Sequence, residues 1–253
     1  MIERHDHGSI AELRLARPPA NALTPDLLER LHDELETALE EAEAEALVLS
    51  GRPGMFSAGL DVPHLLGLDR DGIHDTFRRL LEVCRLLGTS PIPVAAAVTG
   101  HSPAGGAVLA TFCDYRVMAE GPYRIGLNET RVGLPIPELL YGALRRLVGG
   151  RRAERLLVHG RLVEAREALD IGFVDELAPP EEVASRAVAW CESLLGLPRS
   201  AVAGTRRACR AELHRLLAGE AFDDAVETLA AAWFREETQA ALQALVARLE
   251  KKS

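Results

Sequence analysis

One local pattern occurs twice in this chain and constrains its fold more than any other feature: an apolar strand, a loop of small residues, and then a helix. In the first copy the strand ALVLS (46–50) precedes the loop SAGLD (57–61). In the second, VAAAV (94–98) precedes PAGGA (103–107). A continuous apolar run such as VAAAV is typical of a strand that is covered on both faces. The repeated pattern therefore predicts a layered α/β protein.

The remaining segments fit this class. Thr24 and Pro25 predict a helix start, because Thr is a good N-cap and Pro suits the first turn. An apolar stripe from Leu27 to Ala42 follows at helical spacing. The other predicted elements are strands at SIAELRLA (9–16), YRVMA (115–119), YRIGL (123–127) and VDELA (174–178), helices near 61–68, 72–88 and 107–112, and a turn over 100–106.

The last third of the chain, roughly 181 to 251, predicts several helices and no strand. It is rich in apolar residues, including Trp233 and Phe234. A helical layer this apolar must cover either the body of the protein or another subunit. We predict a core over 1–195 and a C-terminal helical region over 196–253.

Composition excludes several classes of function. A formal net charge of −9 argues against nucleic acid or an anionic membrane as the main partner. The four cysteines show no spacing that predicts a zinc site. The N-terminus has no apolar signal core, so a cytoplasmic location is expected. The uncharged run 86–113 contains three prolines, four glycines and a histidine, which argues against a membrane span.

The two small-residue loops suggest chemistry carried by the backbone. Helix N-termini expose unpaired N–H groups, and glycine lets a ligand approach them closely. Two such ends aimed at one point form an oxyanion hole, although small residues at such turns also serve tight packing. Ser57 and Ser102 are possible nucleophiles, but nothing singles out a partner, and His101 lies next to Ser102. The motifs GxGxxG, GxxxxGK[ST] and GxSxG are absent from the sequence.

Four motifs in this order and spacing resemble the crotonase, or enoyl-CoA hydratase/isomerase, superfamily: ANAL (20–23), MFSAGLD (55–61), GHSPAGGAVLATFCDYRVMA (100–119) and IGLNETRVGL (125–134). The resemblance implies an α/β spiral of repeated ββα units with a C-terminal helical oligomerisation region. It further implies a homotrimer or a dimer of trimers. Acyl-CoA thioesters are the implied substrates, with coenzyme A as part of the substrate, no other cofactor and no metal.

The resemblance also assigns site residues. In the family, two backbone N–H groups hold the thioester oxygen, and the matching positions here are Leu60 and Gly105. Hydratases carry one glutamate in the helix after the GG loop and a second one further on, and here these positions are Val108 and Glu129. Asn128 is implied as a substrate contact. The other implied pocket or CoA contacts are Ala58, Gly59, Asp61 and Val62.

The single glutamate most resembles the mitochondrial-type 3,2-trans-enoyl-CoA isomerases. These enzymes of fatty acid β-oxidation move a double bond with one carboxylate as acid and base. Two alternatives stay open: a hydratase or another crotonase-family reaction on a specialised acyl-CoA, and a noncatalytic acyl-CoA- or protein-binding member of the fold.

The ionisation of Glu129 is left open by the sequence. Its apolar neighbours Ile125, Leu127 and Val132 favour a raised pKa, because burial disfavours the charged form. An ion pair with Arg124 or Arg131 would oppose this.

Overall fold

The computed structural model describes residues 1–41 and 44–251. Ala42, the last position of the predicted apolar stripe, lies outside these ranges. The strands are β1 (Ile2–His7), β2 (Ile10–Leu15), β3 (Ala46–Ser50), β4 (Gly54–Met55), β5 (Val94–Val98), β6 (Gly100–Pro103), β7 (Tyr115–Ala119), β8 (Arg124–Gly126), β9 (Val163–Glu164) and β10 (Glu176–Ala178). The helices are α1 (Pro25–Glu40), α2 (Val62–Leu65), α3 (Arg70–Thr89), α4 (Gly105–Phe112), α5 (Glu138–Val148), α6 (Gly150–His159), α7 (Ala165–Asp170), α8 (Val183–Leu195), α9 (Arg199–Cys209), α10 (Ala211–Leu216), α11 (Gly219–Trp233) and α12 (Glu236–Glu250), with a 3₁₀ turn at Glu129–Val132.

Two sheets organise the fold. The larger has the order β1-β2-β3-β5-β7-β10, and the smaller has the order β4-β6-β8-β9. In the first unit, β1 and β2 both lie in the larger sheet and α1 follows. The next three units, which start at β3, β5 and β7, each place one strand in the larger sheet and the next strand in the smaller sheet before the chain becomes helical. Pairing is parallel except between β1 and β2 and between β8 and β9. The α/β class that the sequence patterns predicted, and the spiral of ββα units that the resemblance implied, are both confirmed.

Both faces of the larger sheet are covered, as VAAAV predicted. Along β5, Val94, Ala96 and Val98 belong to the main apolar core, which also contains residues of α1, α3 and α4. Ala95 and Ala97 face the opposite way and pack against α8. The chain therefore needs apolar residues at every position of this strand.

The C-terminal helices cover the body of the protein. Val226 of α11 and Leu242 of α12 are buried in the main core, where α11 packs on α3 and α5. By contrast, α9 has no buried residue. The division into 1–195 and 196–253 stays a prediction. No helix in the described part of the chain combines the length and apolarity that a membrane crossing needs.

Two local predictions were wrong. The segment predicted as a turn over 100–106 contains β6, and α4 begins at Gly105, two residues before the predicted start. β6 pairs with β4 and β8, which are distant in sequence, so no local pattern marks it. β1 was not predicted because it is charged and mostly exposed, and pairing with β2 holds it in place. The helix start at Thr24 is confirmed, since Thr24 Oγ1 accepts a hydrogen bond from Leu27 N.

Candidate active site

A cavity of about 570 Å³ opens between the loops that follow β4 and β6, the 3₁₀ turn, and helices α3, α11 and α12. Most residues that the sequence assigned to the site line it. These are Ala58, Leu60, Asp61, Val62, Gly105, Asn128 and Glu129. Gly59 is the exception and lies behind the lining: a Cβ atom at this position would be 2.9 Å from Gly105 N. The structure therefore brings the two loops and the later glutamate together at one cavity.

The predicted donors are the amide nitrogens of Leu60 and Gly105. Gly105 is the first residue of α4, so its N–H has no acceptor within the helix. Around Leu60, Leu23 N donates to Gly59 O and Asp61 N donates to Leu23 O, which leaves the Leu60 amide unused. Within the described ranges, neither amide donates a hydrogen bond to the protein. Because both residues line the cavity, a bound oxygen can accept from both.

The two donors are placed differently from what the sequence suggested. Only Gly105 lies at a helix N-terminus, since Asp61, and not Leu60, is the N-cap of α2. A Cβ on Gly105 would lie 3.5 Å from Leu60 N, so the two backbones approach closely. The pair therefore consists of the Gly105 amide at the N-terminus of α4 and the Leu60 amide in the loop before α2.

Backbone strain at Ala104 orients the Gly105 amide. Ala104 has φ 48° and ψ −125°, a conformation that an L-residue rarely adopts. The ψ angle of one residue sets the direction of the next N–H, so this strain directs the Gly105 amide. Two hydrogen bonds hold the conformation: Ala104 N donates to Gly126 O, and Ala104 O accepts from Val108 N.

A buried asparagine that the sequence did not assign to the site supports the Leu60 loop. Asn21 Nδ2 donates to Phe56 O at 3.0 Å and to Met55 O at 3.3 Å. Ser57 Oγ donates to Asn21 O and accepts from Gly59 N. Ser57 is therefore engaged in holding this loop. The sequence indicated Asn21 only as part of the motif ANAL. Its hydrogen bonds to the Leu60 loop could be identified only from the structure.

Glu129 is the first residue of the 3₁₀ turn, and its Oε2 atom is buried without a hydrogen-bond partner. Burial raises the pKa of Glu129 to about 7, against a smaller lowering by a backbone hydrogen bond. The two arginines considered from the sequence are engaged elsewhere. Arg124 pairs with Glu164 at 3.1 Å, and Arg131 Nε donates to Gly160 O at 2.7 Å. Desolvation therefore decides the ionisation of Glu129.

Besides Glu129, the charged or amide side chains that line the cavity are those of Arg17, Asp61 and Asn128. Asp61 is engaged, because it pairs with Arg17 at 2.9 Å and accepts a hydrogen bond from His64 N. Asn128 Oδ1 is buried without a partner, like Glu129 Oε2. Glu129 is thus the lining carboxylate that is available for proton transfer.

The rest of the wall is apolar. Val108, which occupies the first of the two glutamate positions considered from the sequence, is buried and lines the cavity. The larger lining side chains include Phe77, Leu80, Leu81, Leu229, Trp233, Leu242 and Leu245. The contribution of α11 and α12 was not assigned from the sequence, although their apolar composition showed that they cover something. They cover the cavity of their own chain.

The remaining candidates lie outside the cavity lining. Ser102 Oγ is buried without a partner, and His101 Nδ1 accepts from Arg124 N. One group of three possible metal ligands occurs among the described residues: His32, Asp33 and Glu36 of α1. None of these residues lines the cavity. That the reaction needs no metal stays a prediction.

Comparison with known proteins decides the family. The sequence model of the family described as enoyl-CoA hydratase/isomerase matches residues 5–252. The chain belongs to this family. It is therefore an enzyme of the crotonase type that acts on acyl-CoA.

Curated relatives carry two different names. The mitochondrial enoyl-CoA delta isomerase 1 of Mus musculus is 35% identical over 200 residues, which are 78% of this chain and 69% of the mouse protein. The matches to the mammalian proteins span about two thirds of their length. A putative enoyl-CoA hydratase of Thermus thermophilus is 36% identical over 237 residues, or 91% of each chain.

Among solved structures, the human mitochondrial delta3-delta2-enoyl-CoA isomerase superposes with a TM-score of 0.93 at 31% identity. It covers 100% of this chain and 99% of that chain. Because isomerases and hydratases share this fold and level of identity, the choice between the two activities depends on the site.

Proposed function

We propose that this chain is a 3,2-trans-enoyl-CoA isomerase in which Glu129 is both acid and base. One observation carries the proposal: of the two carboxylates that line the cavity among the described residues, Asp61 is paired with Arg17, whereas Glu129 is buried and its pKa is raised to about 7. Coenzyme A enters as part of the substrate. Two amides and one carboxylate supply the groups that the reaction needs, so no other cofactor and no metal is proposed.

The first step removes a proton from C2 of a 3-enoyl thioester. The C2 proton is weakly acidic, and its removal places negative charge on the thioester oxygen. The Leu60 and Gly105 amides donate to that oxygen, and each such donor contributes about 3 to 4 kcal/mol to the transition state. Ionised Glu129 accepts the proton, and a base with a pKa near the working pH is well matched to this task.

The second step returns the same proton at C4 of the dienolate. C2 and C4 lie on one face of a short conjugated system, so one carboxylic acid can serve both carbons. The proton bound by Glu129 forms the new C4–H bond, the double bond shifts to C2–C3, and Glu129 is ionised again. Isomerisation is thereby balanced with one carboxylate, whereas activation of water for hydration favours two.

The test compares two substrates. We expect the purified protein to convert 3-hexenoyl-CoA to 2-hexenoyl-CoA at least about tenfold faster than it hydrates crotonyl-CoA, because only one carboxylate is available. Both rates are measured by chromatography of the thioester products. Faster hydration would favour the hydratase alternative. Thioester binding without turnover of either substrate would favour a noncatalytic member of the fold.

Val108 gives a second prediction. Its apolar side chain lies one helical turn from Gly105 and excludes water from this wall. Val108→Glu is expected to raise the ratio of hydration to isomerisation, because it adds a carboxylate at the position that hydratases use. Val108→Gln is the matched control, since glutamine has nearly the same shape as glutamate but cannot act as a base. An unchanged product ratio in a folded Val108→Glu variant would contradict the role assigned to Val108.

The homotrimer or dimer of trimers and the cytoplasmic location remain predictions of the sequence resemblance and composition.

A further inference from the structure

A hydrogen bond from Thr238 joins the C-terminal helix, α12, to the turn that carries Glu129. Thr238, in the first turn of α12, is completely buried. Its Oγ1 atom donates to Gly133 O at 3.1 Å. Gly133 ends the 3₁₀ turn, and its N–H bonds to the carbonyl groups of Glu129 and Thr130. Thr238 therefore contacts the residue that closes the turn behind the carboxylate.

The contact is made at close range to the backbone. Gly133 has a φ of +80°, and a Cβ there would lie 2.7 Å from Thr238 Oγ1 and 3.0 Å from Thr238 Cα. Only glycine satisfies both the backbone angle and this approach. The next residue also belongs to the turn, since Leu134 N donates to Glu129 O at 3.2 Å. A shift of α12 would therefore move the backbone of the turn.

The opposite side of the turn is held by the end of α6. Thr130 Oγ1 donates to Leu157 O at 2.8 Å, and Arg131 Nε donates to Gly160 O at 2.7 Å. The turn thus lies between two helices. On the α6 side the hydrogen bonds come from side chains of the turn itself, whereas on the α12 side Thr238 donates one to the turn.

Thr238 also lies on the face of α12 that closes the cavity. Leu242 and Leu245 line the cavity, and they follow Thr238 by four and seven residues, a spacing that places all three on one helix face. At the start of α12, Gln239 Nε2 donates to Trp233 O at 2.7 Å and fixes the junction with α11. The helix that forms the cavity wall is therefore the helix that contacts the catalytic turn.

We propose that Thr238 is a positioning residue for the acid and base: it fixes the Glu129 turn against α12 and so couples the cavity wall to the position of the carboxylate. This inference rests on the proposed isomerase function. Loss of the hydroxyl leaves Gly133 O without its Thr238 partner, and the turn can then move on that side. Displacement of a catalytic group by about 1 Å is enough to cost on the order of 100-fold in rate.

The experiment compares Thr238→Val with Thr238→Ser. Thr238→Val is expected to lower kcat on 3-hexenoyl-CoA by about 10-fold or more with KM changed less than about twofold, because the carboxylate is displaced while the binding surface remains. Thr238→Ser keeps the hydroxyl and is expected to restore most of kcat. The acid limb of the pH profile of kcat should move to lower pH in Thr238→Val, since a loosened turn admits water to Glu129 and lowers its pKa.

Thr76→Val is the matched control. Thr76 is buried in α3, and its Oγ1 donates to Gly72 O at 2.6 Å, but it does not line the cavity or contact the turn. This variant removes a comparable buried hydroxyl and is expected to keep the parental kcat and pH profile at a temperature where both variants are folded. A kcat loss equal to that of Thr238→Val would show a general effect of destabilisation and overturn the proposal.

Hydrogen exchange separates this proposal from the proposed function. The Gly133 and Leu134 amides bond within the turn, so they should exchange faster in Thr238→Val than in the parent and in Thr76→Val. If the parent does not isomerise 3-enoyl-CoA, the proposed function fails, whatever the exchange result. If the parent isomerises and Thr238→Val keeps the parental kcat, pH profile and exchange, the positioning role is wrong while the function stands.

Discussion

Glu129→Gln is expected to lower kcat for the isomerisation of 3-hexenoyl-CoA by about 10²- to 10⁴-fold, the range that general acid and base catalysis contributes. The amide keeps the shape of the side chain but cannot accept the C2 proton. In the parent, kcat/KM should fall as the pH drops below about 7, because burial raises the pKa of Glu129 to about 7 and the base must be ionised. Both effects are measured by steady-state kinetics between pH 5 and 9.

Glu164→Gln is the matched control for this substitution. Glu164 pairs with Arg124 at 3.1 Å on the protein surface and does not line the cavity. We expect it to keep the parental rate and pH profile. A folded Glu129→Gln variant that isomerised at the parental rate would remove the proposed mechanism.

Glu129→Gln should also stabilise the folded protein above neutral pH. The pKa of Glu129 is raised from its ordinary value of 4.5 to about 7 in the folded state, so the folded state holds this proton more tightly than the unfolded chain. Folding stability is therefore lost as the pH rises from about 4.5 to about 7, by about 3 kcal/mol in all. Glutamine does not ionise, so the Glu129→Gln variant does not lose this folding stability as the pH rises.

Urea unfolding of parent and Glu129→Gln at pH 5 and pH 8 measures this effect. The difference in free energy of unfolding between the two proteins should increase in favour of the variant at pH 8. A difference that is equal at both pH values would show that the carboxylate is not desolvated in the folded protein.

Leu60→Pro is expected to lower kcat by about 10²- to 10³-fold, because it removes one of the two proposed donors to the thioester oxygen. The neighbouring hydrogen bonds to Leu23 use Gly59 O and Asp61 N, so the backbone donor that the proline removes takes part in no hydrogen bond among the described residues. Proline restricts the backbone of the preceding residue, which here is Gly59 with a φ of +84°. A glycine at that position tolerates the restriction better than any other residue. The kinetics are measured on 3-hexenoyl-CoA after circular dichroism has shown an intact fold.

Leu60→Ala separates the amide from the side chain. This variant keeps the N–H and removes only the leucine side chain that lines the cavity, so its kcat should fall far less than that of Leu60→Pro. Equal losses in the two variants would mean that the side chain, and not the backbone donor, matters at this position.

The predictions that succeeded depended on local patterns. VAAAV indicated a strand buried on both faces, and β5 is covered by the main core on one side and by α8 on the other. Thr24 and Pro25 indicated a helix start, and α1 begins there. The predictions that failed had two different causes. β6 pairs with β4 and β8, which are distant in sequence, so a single-segment pattern does not contain its partners. β1 pairs with the adjacent β2, but it is charged and mostly exposed and so lacks an apolar strand pattern.

The sequence also left the ionisation of Glu129 open, and only the tertiary structure decided it. In sequence, Arg131 and the apolar Leu127 are each two positions from Glu129, so sequence distance does not separate the two influences. In the fold, Arg131 Nε donates to Gly160 O, so its charge is directed to the end of α6 and burial dominates.

The sequence by itself determined the fold class, the two loops that supply Leu60 and Gly105, and the presence of a glutamate at 129 with valine at 108. These features are encoded in short motifs, because strand, turn and helix preferences act over a few residues. The tertiary structure decided that α11 and α12 close the cavity of their own chain, that both amides remain unpaired, and that Glu129 is desolvated. Burial and hydrogen-bond pairing are properties of neighbours in space, and those neighbours come from distant parts of the chain.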